Sequence, residues 1–461
     1  MCSTRLVIAV LVVACSRDTV VVGSDVRPSD DTPAMQGARS GRGGASVSAG
    51  GATAGAGPTQ QPQQPSAGTD GPPPEKEPEK ETMPEPVGTC GAFGRAPQPT
   101  GLSTAECGLP ALWDPPQPIY DGKPALGPPQ VVVLKGGDGL VIAAHFASTA
   151  ADPDMVRNVF ASLDENGDCR ELLIAMDGPR RYVVAAHTRG GTTALLSRCD
   201  GRPQSECPAL VHVAGHEPFD PAAALGLGPD LEPTETTPSG ASAPLQLDFA
   251  LTRDGRIVVV ARHFFKSTDP NDGLRMWLLS PTLELIHAAA APSTDFNLHD
   301  VAVSAQDDLV VLTRSSYMHA ARRYSLNLEP LDEPYIMQPV AILPLDGNLA
   351  MNDHRLALSG ASLRMYDSTT LEEVWPEPVA LDIKTQAAPA LDMTDGDELL
   401  RFTSSGIATL TRSGADGRDL WSVTWMPDKT RSQVFAPPAV QLQSNGRVLA
   451  SSQIGVFGYC H

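Results

Sequence analysis

The sequence predicts an all-β fold, a β-propeller of seven four-stranded blades, with six or eight blades also compatible with the spacing. Three observations support this. Short apolar runs bounded by Asp-Gly, Asn-Gly, Ser-Gly and proline turns recur from about Cys90 to the C-terminus, and no long segment has a helical period. One motif is written seven times: a short apolar lead, a tight polar turn and a β-branched run, as in LTRDGRIVVVARHFF (251–265) and SNGRVLASSQI (444–454). Where its copies are cleanly spaced they lie about 40–53 residues apart, the length of one four-stranded unit.

Each copy predicts the hairpin between a blade's first two strands. The expected turns are Gly137-Asp138-Gly139, Asp177-Gly178, Asp254-Gly255, Asp307-Asp308, Asp346-Gly347, Asp395-Gly396 and Asn445-Gly446. Asp-Gly and Asn-Gly tolerate positive φ at both positions, so two-residue turns are expected. Third and fourth strands follow in LRMWLLSPTLELIH (274–287), LRMYDSTTLEEVW (363–375) and IATLTRSGADGRDLW (407–421). At VFGYCH the last blade has room only for a third strand. CGLPALWDPP (107–116) is similar to GRDLWSVTW (417–425), with Trp113 in the place of Trp421. Residues 109–114 are therefore expected to complete the last blade and remove a free sheet edge. The register is least regular between 160 and 245, where 215–243 reads as an insertion.

The propeller is expected to span 90–461. Residues 1–15, MCSTRLVIAVLVVAC, carry one positive charge at Arg5 and a short apolar run, the form of an export signal too short to span a bilayer. From Ser16 to residue 88 the chain is rich in Gly, Ser and Pro, without apolar period, and cannot bury enough surface to offset its conformational entropy. This stretch is expected to be a disordered tether with a reach of about 45 Å.

Lys plus Arg total 34 against 54 for Asp plus Glu, a formal charge of -20. Phosphate backbones are repelled by such a surface, so nucleic acid is excluded as a partner. Beyond Cys15 the cysteines Cys90, Cys107, Cys169, Cys199, Cys207 and Cys460 are even in number, and no CxxC motif occurs. In an exported chain that favours disulfides over metal knuckles or redox dithiols. The turn-rich DGRPQSE between Cys199 and Cys207 favours that pair, and a bond from Cys460 to Cys107 or Cys90 would clamp the propeller seam.

Candidate chemistry is sparse. His145, His187 and His263 follow VIAA, VVAA and VVAR at the ends of expected second strands. Gathered at one rim, they could ligate a metal or move protons. Their distances from the turns differ, which favours histidines satisfied by backbone groups, and no metal site is expected. HVAGHE offers His212, His216 and Glu217, but its glycine argues for strand and turn rather than a ligating helix face. LDENGDC, with Asp164, Asn166 and Asp168, departs from the calcium-loop pattern at Gly167 and Cys169 and reads as a hairpin turn, and STDPNDG (267–273) has the same weakness. There is no G-x-S-x-G, HExxH, P-loop or Rossmann fingerprint.

Two resemblances add expectations. VVAC at 12–15 resembles the lipobox of bacterial lipoproteins, although Val12 stands where leucine is usual. The likeness implies cleavage before Cys15 and lipidation of that cysteine. Ser16 is not the aspartate that marks inner-membrane retention, so an outer-membrane or cell-surface address is implied, with periplasmic or secreted alternatives. Residues 363–375 and 407–421 resemble the quinoprotein-like (PQQ-like) propeller repeat, whose closing tryptophan packs against the neighbouring blade. Trp375 and Trp421 match it, while the threonine-glycine pair is degraded. The expected function is a cell-envelope binding or scaffolding propeller. It is expected to need no cofactor, to act as a monomer, and to have a protein or envelope polysaccharide as partner. The alternative is an extracellular hydrolase or lyase with its site at the central channel.

Overall fold

The computed structural model describes residues 118–460, apart from connecting loops and the longer segments 226–245 and 427–437, together with Thr19–Val22, Cys90, Phe93–Arg95 and Ala111–Trp113. Contacts divide the chain into two units, Met1–Gly23 with Pro86–His461, and Ser24–Glu85; the latter lies outside the described residues.

The first unit is a seven-bladed propeller. Blade I comprises Gln130–Val133, Leu140–Ala147, Val156–Leu163 and Cys169–Gly178. Blade II comprises Arg181–Arg189, Thr192–Cys199 and Leu210–Val213, its fourth strand reduced to a bridge between Val211 and Phe219. Blade III is Gln246–Leu251, Ile257–His263, Gly273–Leu279 and Leu285–Ala291. Blade IV is Asn297–Val303, Leu309–Arg314, Met318–Tyr324 and Ile336–Pro339. Blade V is Asn348–Met351, Arg355–Ser359, Ser362–Asp367 and Val379–Ala380, and blade VI is Ala390–Met393, Leu399–Ser404, Ala408–Ser413 and Asp419–Trp425. Blade VII takes Ala439–Leu442, Val448–Ser452 and Gly455–Tyr459 from the C-terminus and Ala111–Trp113 from the N-terminal side, with Leu112 opposite Phe457. The ring thus closes through the strand that the sequence placed at 109–114.

The repeated β-branched run has a physical cause. Each blade is packed on both faces by its neighbours, so alternate side chains of one strand enter different interfaces. Ile257 and Val259 join Ala194 and Leu196 of blade II, whereas Val258 and Val260 join Leu309 and Val311 of blade IV. All four run residues are fully buried, and each contributes about 2 kcal/mol. Every neighbouring pair of blades has an apolar cluster of this kind, including blade VII against blade I, where Ala439, Leu449 and Val456 meet Val131, Leu140 and Ile142.

Three expectations about turns need correction. Asp177-Gly178 ends the fourth strand of blade I, and the first hairpin of blade II turns instead at Gly190-Gly191, both at positive φ. This accounts for part of the irregular register expected between 160 and 245. Asp346-Gly347 lies outside the described residues; the first hairpin of blade V turns at Asn352–His354, closed by Asn352 N–H on Arg355 O. In blades III, IV, VI and VII the loops hold three residues rather than two. Thr252 N–H donates to Arg256 O and Gly255 N–H to Thr252 O, and the same pair of bonds recurs from Ser304, Thr394 and Gln443. The third loop residue takes the left-handed conformation, at Gly255, Asp307, Asp397 and Gly446, the geometry of a type I turn with a bulge.

Cys199 bonds Cys207, and Cys90 bonds Cys169. The second pair excludes the expected Cys460–Cys90 alternative. Cys460 is itself disulfide-bonded, and Cys107 lies outside the described residues. Cys90 stands just before a small sheet of Phe93–Arg95, Pro118–Tyr120 and Lys123–Pro124, whose Tyr120 packs 5.6 Å from Phe146 of blade I. Within the expected tether, Thr19–Val22 (TVVV) pairs in parallel with Asp419–Trp425. Of the 215–243 insertion, the described part holds one helical turn, Pro221–Ala224, capped by Asp220.

Candidate functional site: the channel mouth

The first strands of the blades line a central channel. At the mouth where the first hairpins turn, a cavity of about 520 Å3 is bordered by residues from all seven blades. A first strand pairs with only one neighbour in its own sheet, so its inward N–H and C=O groups need other partners. Polar side chains of the preceding blade supply them. Gln130 of blade I both accepts from Val183 N–H, at 2.7 Å, and donates to Val183 O, at 2.8 Å, in blade II. Gln246 of blade III accepts from Leu298 N–H of blade IV, and Asp300 of blade IV accepts from Leu349 N–H of blade V at 2.6 Å. Asn348 of blade V donates to Pro389 O before blade VI, and Asp392 of blade VI accepts from Leu442 N–H of blade VII at 2.9 Å. Gln441 and Gln443 of blade VII accept from Gly136 and Gly139 N–H of blade I, which links the last blade to the first.

Two acids in this ring have displaced pKa values. Burial, then the charge of Asp300, raises Asp248 well above the usual carboxylate range, and the two carboxyls share a hydrogen bond. Asp300 also accepts from Val301 N–H at 2.9 Å. Burial raises Asp392 to about 6, against the opposing pull of the Leu442 and Met393 N–H groups and of Lys135. With the folded value above the unfolded one, about 3.9, the folded protein holds the proton more tightly. This contribution to stability is fully present below about pH 4 and is lost as pH rises through about 6. Asp392→Asn keeps an acceptor for Leu442 N–H without the buried charge. It is expected to stabilise the protein by about 2 kcal/mol above pH 7 and to have little effect near pH 4, checked by urea unfolding across pH.

The three histidines singled out in the sequence do not form one site. His145 lies in the second strand of blade I, and its Nε2 donates to Arg181 O at 2.6 Å; burial lowers its pKa. His187 lies in a first strand, not a second, because Asp177-Gly178 ends blade I and blade II begins only at Arg181. It borders the cavity with its ring 4.7 Å from Phe249, and burial, then Lys135, pushes its pKa down to about 3, so it is neutral at physiological pH. The side chain of His263 lies outside the described residues. No cluster of three metal-ligating side chains occurs among the described residues.

The other candidates resolve as local structure. His212 is in the third strand of blade II, 2.7 Å from Ser197 Oγ, and His216 is in the following turn. A Ser–His contact has the geometry of a nucleophile and base. Here, however, Ser197 is fully buried, and burial with the nearby Arg181 holds His212 down to about 3. Asp164 and Asp168 close the hairpin between two strands of blade I, with Asp168 N–H bonded to Asp164 Oδ1. Trp375 is buried and donates from Nε1 to Ala415 O of blade VI at 2.9 Å, while Trp421 lies 5.0 Å from Tyr459 of blade VII. The Trp113 side chain lies outside the described residues.

No protein-family model matches the chain, and no curated protein is similar to it. Among solved structures it is similar to the Dos1 propeller, at 11% identity and a TM-score of 0.40, covering 76% of this chain and 80% of that one. It is also similar to a virginiamycin B lyase from Staphylococcus aureus, at 9% identity and a TM-score of 0.40, covering 72% and 93%. At these values neither likeness bears on activity.

Proposed function

We propose that the protein is a binding or scaffolding propeller of the cell envelope, anchored by lipid on Cys15 and related to the quinoprotein-like propellers through Trp375 and Trp421. A protein or envelope polysaccharide is its partner, and the channel mouth is its binding face. The observation that carries this reading is the state of the mouth. It is a formed cavity to which all seven blades contribute, and its acids Asp300 and Asp392 are bonded to backbone N–H groups of the next blade. Such a surface is rigid and shaped before a ligand arrives, which lowers the ordering cost of binding.

A photo-crosslinking residue placed in cells at Asp353, on the rim of this mouth, is expected to give adducts with an envelope component. The same residue at Leu420, on the outer edge of blade VI, is expected to give none. Absence of adducts from the mouth contradicts the reading. Lipidation is tested separately: Cys15→Ser is expected to move the protein from the detergent phase to the aqueous phase on detergent partition.

One observation favours the second reading, a hydrolase or lyase. Asp248 and Asp300 form a carboxyl pair in which burial and the neighbouring charge raise the Asp248 pKa well above the usual carboxylate range, and a buried acid of this kind can serve as a proton donor. Against it, both oxygens of Asp300 already accept backbone N–H bonds, which weakens it as a base. Turnover of an envelope polymer that disappears in Asp248→Asn would decide for this alternative.

A further inference from the structure

Lys135 stands out among the charged groups of the mouth. It follows the first strand of blade I and borders the cavity, with its backbone fixed by bonds from Lys135 N–H to Ala186 O and from Thr188 N–H to Lys135 O. Among the described residues, no carboxylate lies within ion-pair distance of Nζ. The opposing charges are otherwise engaged. Asp138 accepts from Ser444 N–H and Oγ–H, Asp300 from Leu349 and Val301 N–H, and Asp392 from Leu442 N–H. Asp353 faces Arg253 at 3.9 Å, and Asp395 is exposed at the rim. The other cation of the cavity, Arg189, donates to Leu251 O at 3.3 Å and Val303 O at 2.9 Å and so ties blade II to blades III and IV. His187 is packed on Phe249.

We propose that this mouth binds a small organic carboxylate, with the ligand carboxylate paired to Lys135 Nζ inside the channel. The inference rests on the reading of the mouth as a binding face and gives its ligand a chemical class. A cavity of about 520 Å3 is within the range of small-molecule sites. The unmatched group in it is a cation, so the ligand brings an anion. A single free ammonium balances one negative charge, which fits a carboxylate better than a phosphate dianion in a chain of net charge -20. The charged groups facing Lys135 also fix the pH dependence. Asp248 and Asp392 both interact with it electrostatically. Burial pushes both carboxyls toward their neutral forms, which lessens their competition for Lys135. Ionisation of Asp392 adds a competing negative charge, so affinity falls as pH rises through about 6.

Calorimetric titration of the intact protein with D-glucuronate and L-lactate, against the neutral D-glucose and glycerol, tests this. Saturable binding is expected for the two carboxylates and not for the neutral compounds. It should weaken about tenfold in Lys135→Met and persist in Lys135→Arg and in Lys123→Met, which alters an exposed lysine outside the mouth. Binding that is equal for glucuronate and glucose, equal in Lys135→Met and wild type, or undetectable at millimolar carboxylate overturns the proposal. Where Lys135→Met does not fold, the wild-type comparison and Lys135→Arg decide. Crosslinked adducts at Asp353 without any response to carboxylates would retire the ligand class and leave the binding face standing.

Discussion

Asp300→Ala is expected to lower the unfolding free energy by about 3 kcal/mol, the largest effect of any polar substitution in the channel. The carboxylate accepts from Val301 N–H at 2.9 Å and Leu349 N–H at 2.6 Å and bonds Asp248. Its removal leaves two buried N–H donors of the first strands without their acceptor and takes a hydrogen-bond partner from Asp248. Asp300→Asn should lie between, since its amide oxygen can serve only part of this set. Urea unfolding measures both, with Asp395→Asn on the exposed rim as a substitution expected to change stability by less than about 0.5 kcal/mol.

Phe402→Ala is expected to lose about 3–5 kcal/mol. The ring is fully buried in the second strand of blade VI, 6.1 Å from Trp425 and 6.2 Å from Phe457, and those two rings are themselves 5.0 Å apart. The three aromatics join blade VI to blade VII. Blade VII is completed by Ala111–Trp113, so a cavity there weakens the interface next to the ring's closing seam. Phe402→Leu should retain more than half of the lost stability, because it leaves a smaller void. Thermal and urea unfolding monitored by tryptophan fluorescence would report both, as Trp425 is in contact with the site.

The fold was legible where a local rule and the tertiary role coincide. Asp254-Gly255 and Asn445-Gly446 mark first hairpins because a glycine was needed at positive φ there, and IVVV runs mark strands packed on both faces. The closing strand was legible because ALW repeats the pattern of DLW. Legibility failed where one dipeptide serves two positions. Asp177-Gly178 has the letters of a turn but ends a strand, while the turn of blade II is written Gly190-Gly191. A second signal went unread. In the third-to-fourth hairpins of blades III, IV and V the left-handed position is a leucine, at Leu283, Leu328 and Leu371, in SPTLE, SLNLE and STTLE. A left-handed leucine costs about 1–2 kcal/mol. Each of these side chains is buried between blades, which offsets that cost and explains why leucine stands where turn rules expect glycine.

The site was far less legible. Gln130, Gln246 and Asn348 each open a first strand and are followed by a mostly apolar run, and that recurrence was available in the sequence. Its meaning was not, because a lone amide at a strand start becomes informative only when the strand is known to be innermost. Asp248 and Asp300 are separated by a full blade, and no spacing rule brings them together. The histidines misled for the opposite reason: their position after apolar runs is conspicuous, yet His145 is held by a backbone carbonyl and His187 by an aromatic ring.

The claim on which the account depends is that channel carboxylates bind the inward amides of the next blade rather than standing ready for chemistry. Residue-resolved amide hydrogen exchange tests it directly at Leu349 and Leu442. The account predicts that both amides are protected in the wild type. Protection should fall at Leu349 in Asp300→Ala and at Leu442 in Asp392→Ala, while Leu356–Leu358 in the second strand of blade V remain protected. Free exchange of Leu349 and Leu442 in the wild type, or exchange indifferent to removal of the carboxylates, would contradict it.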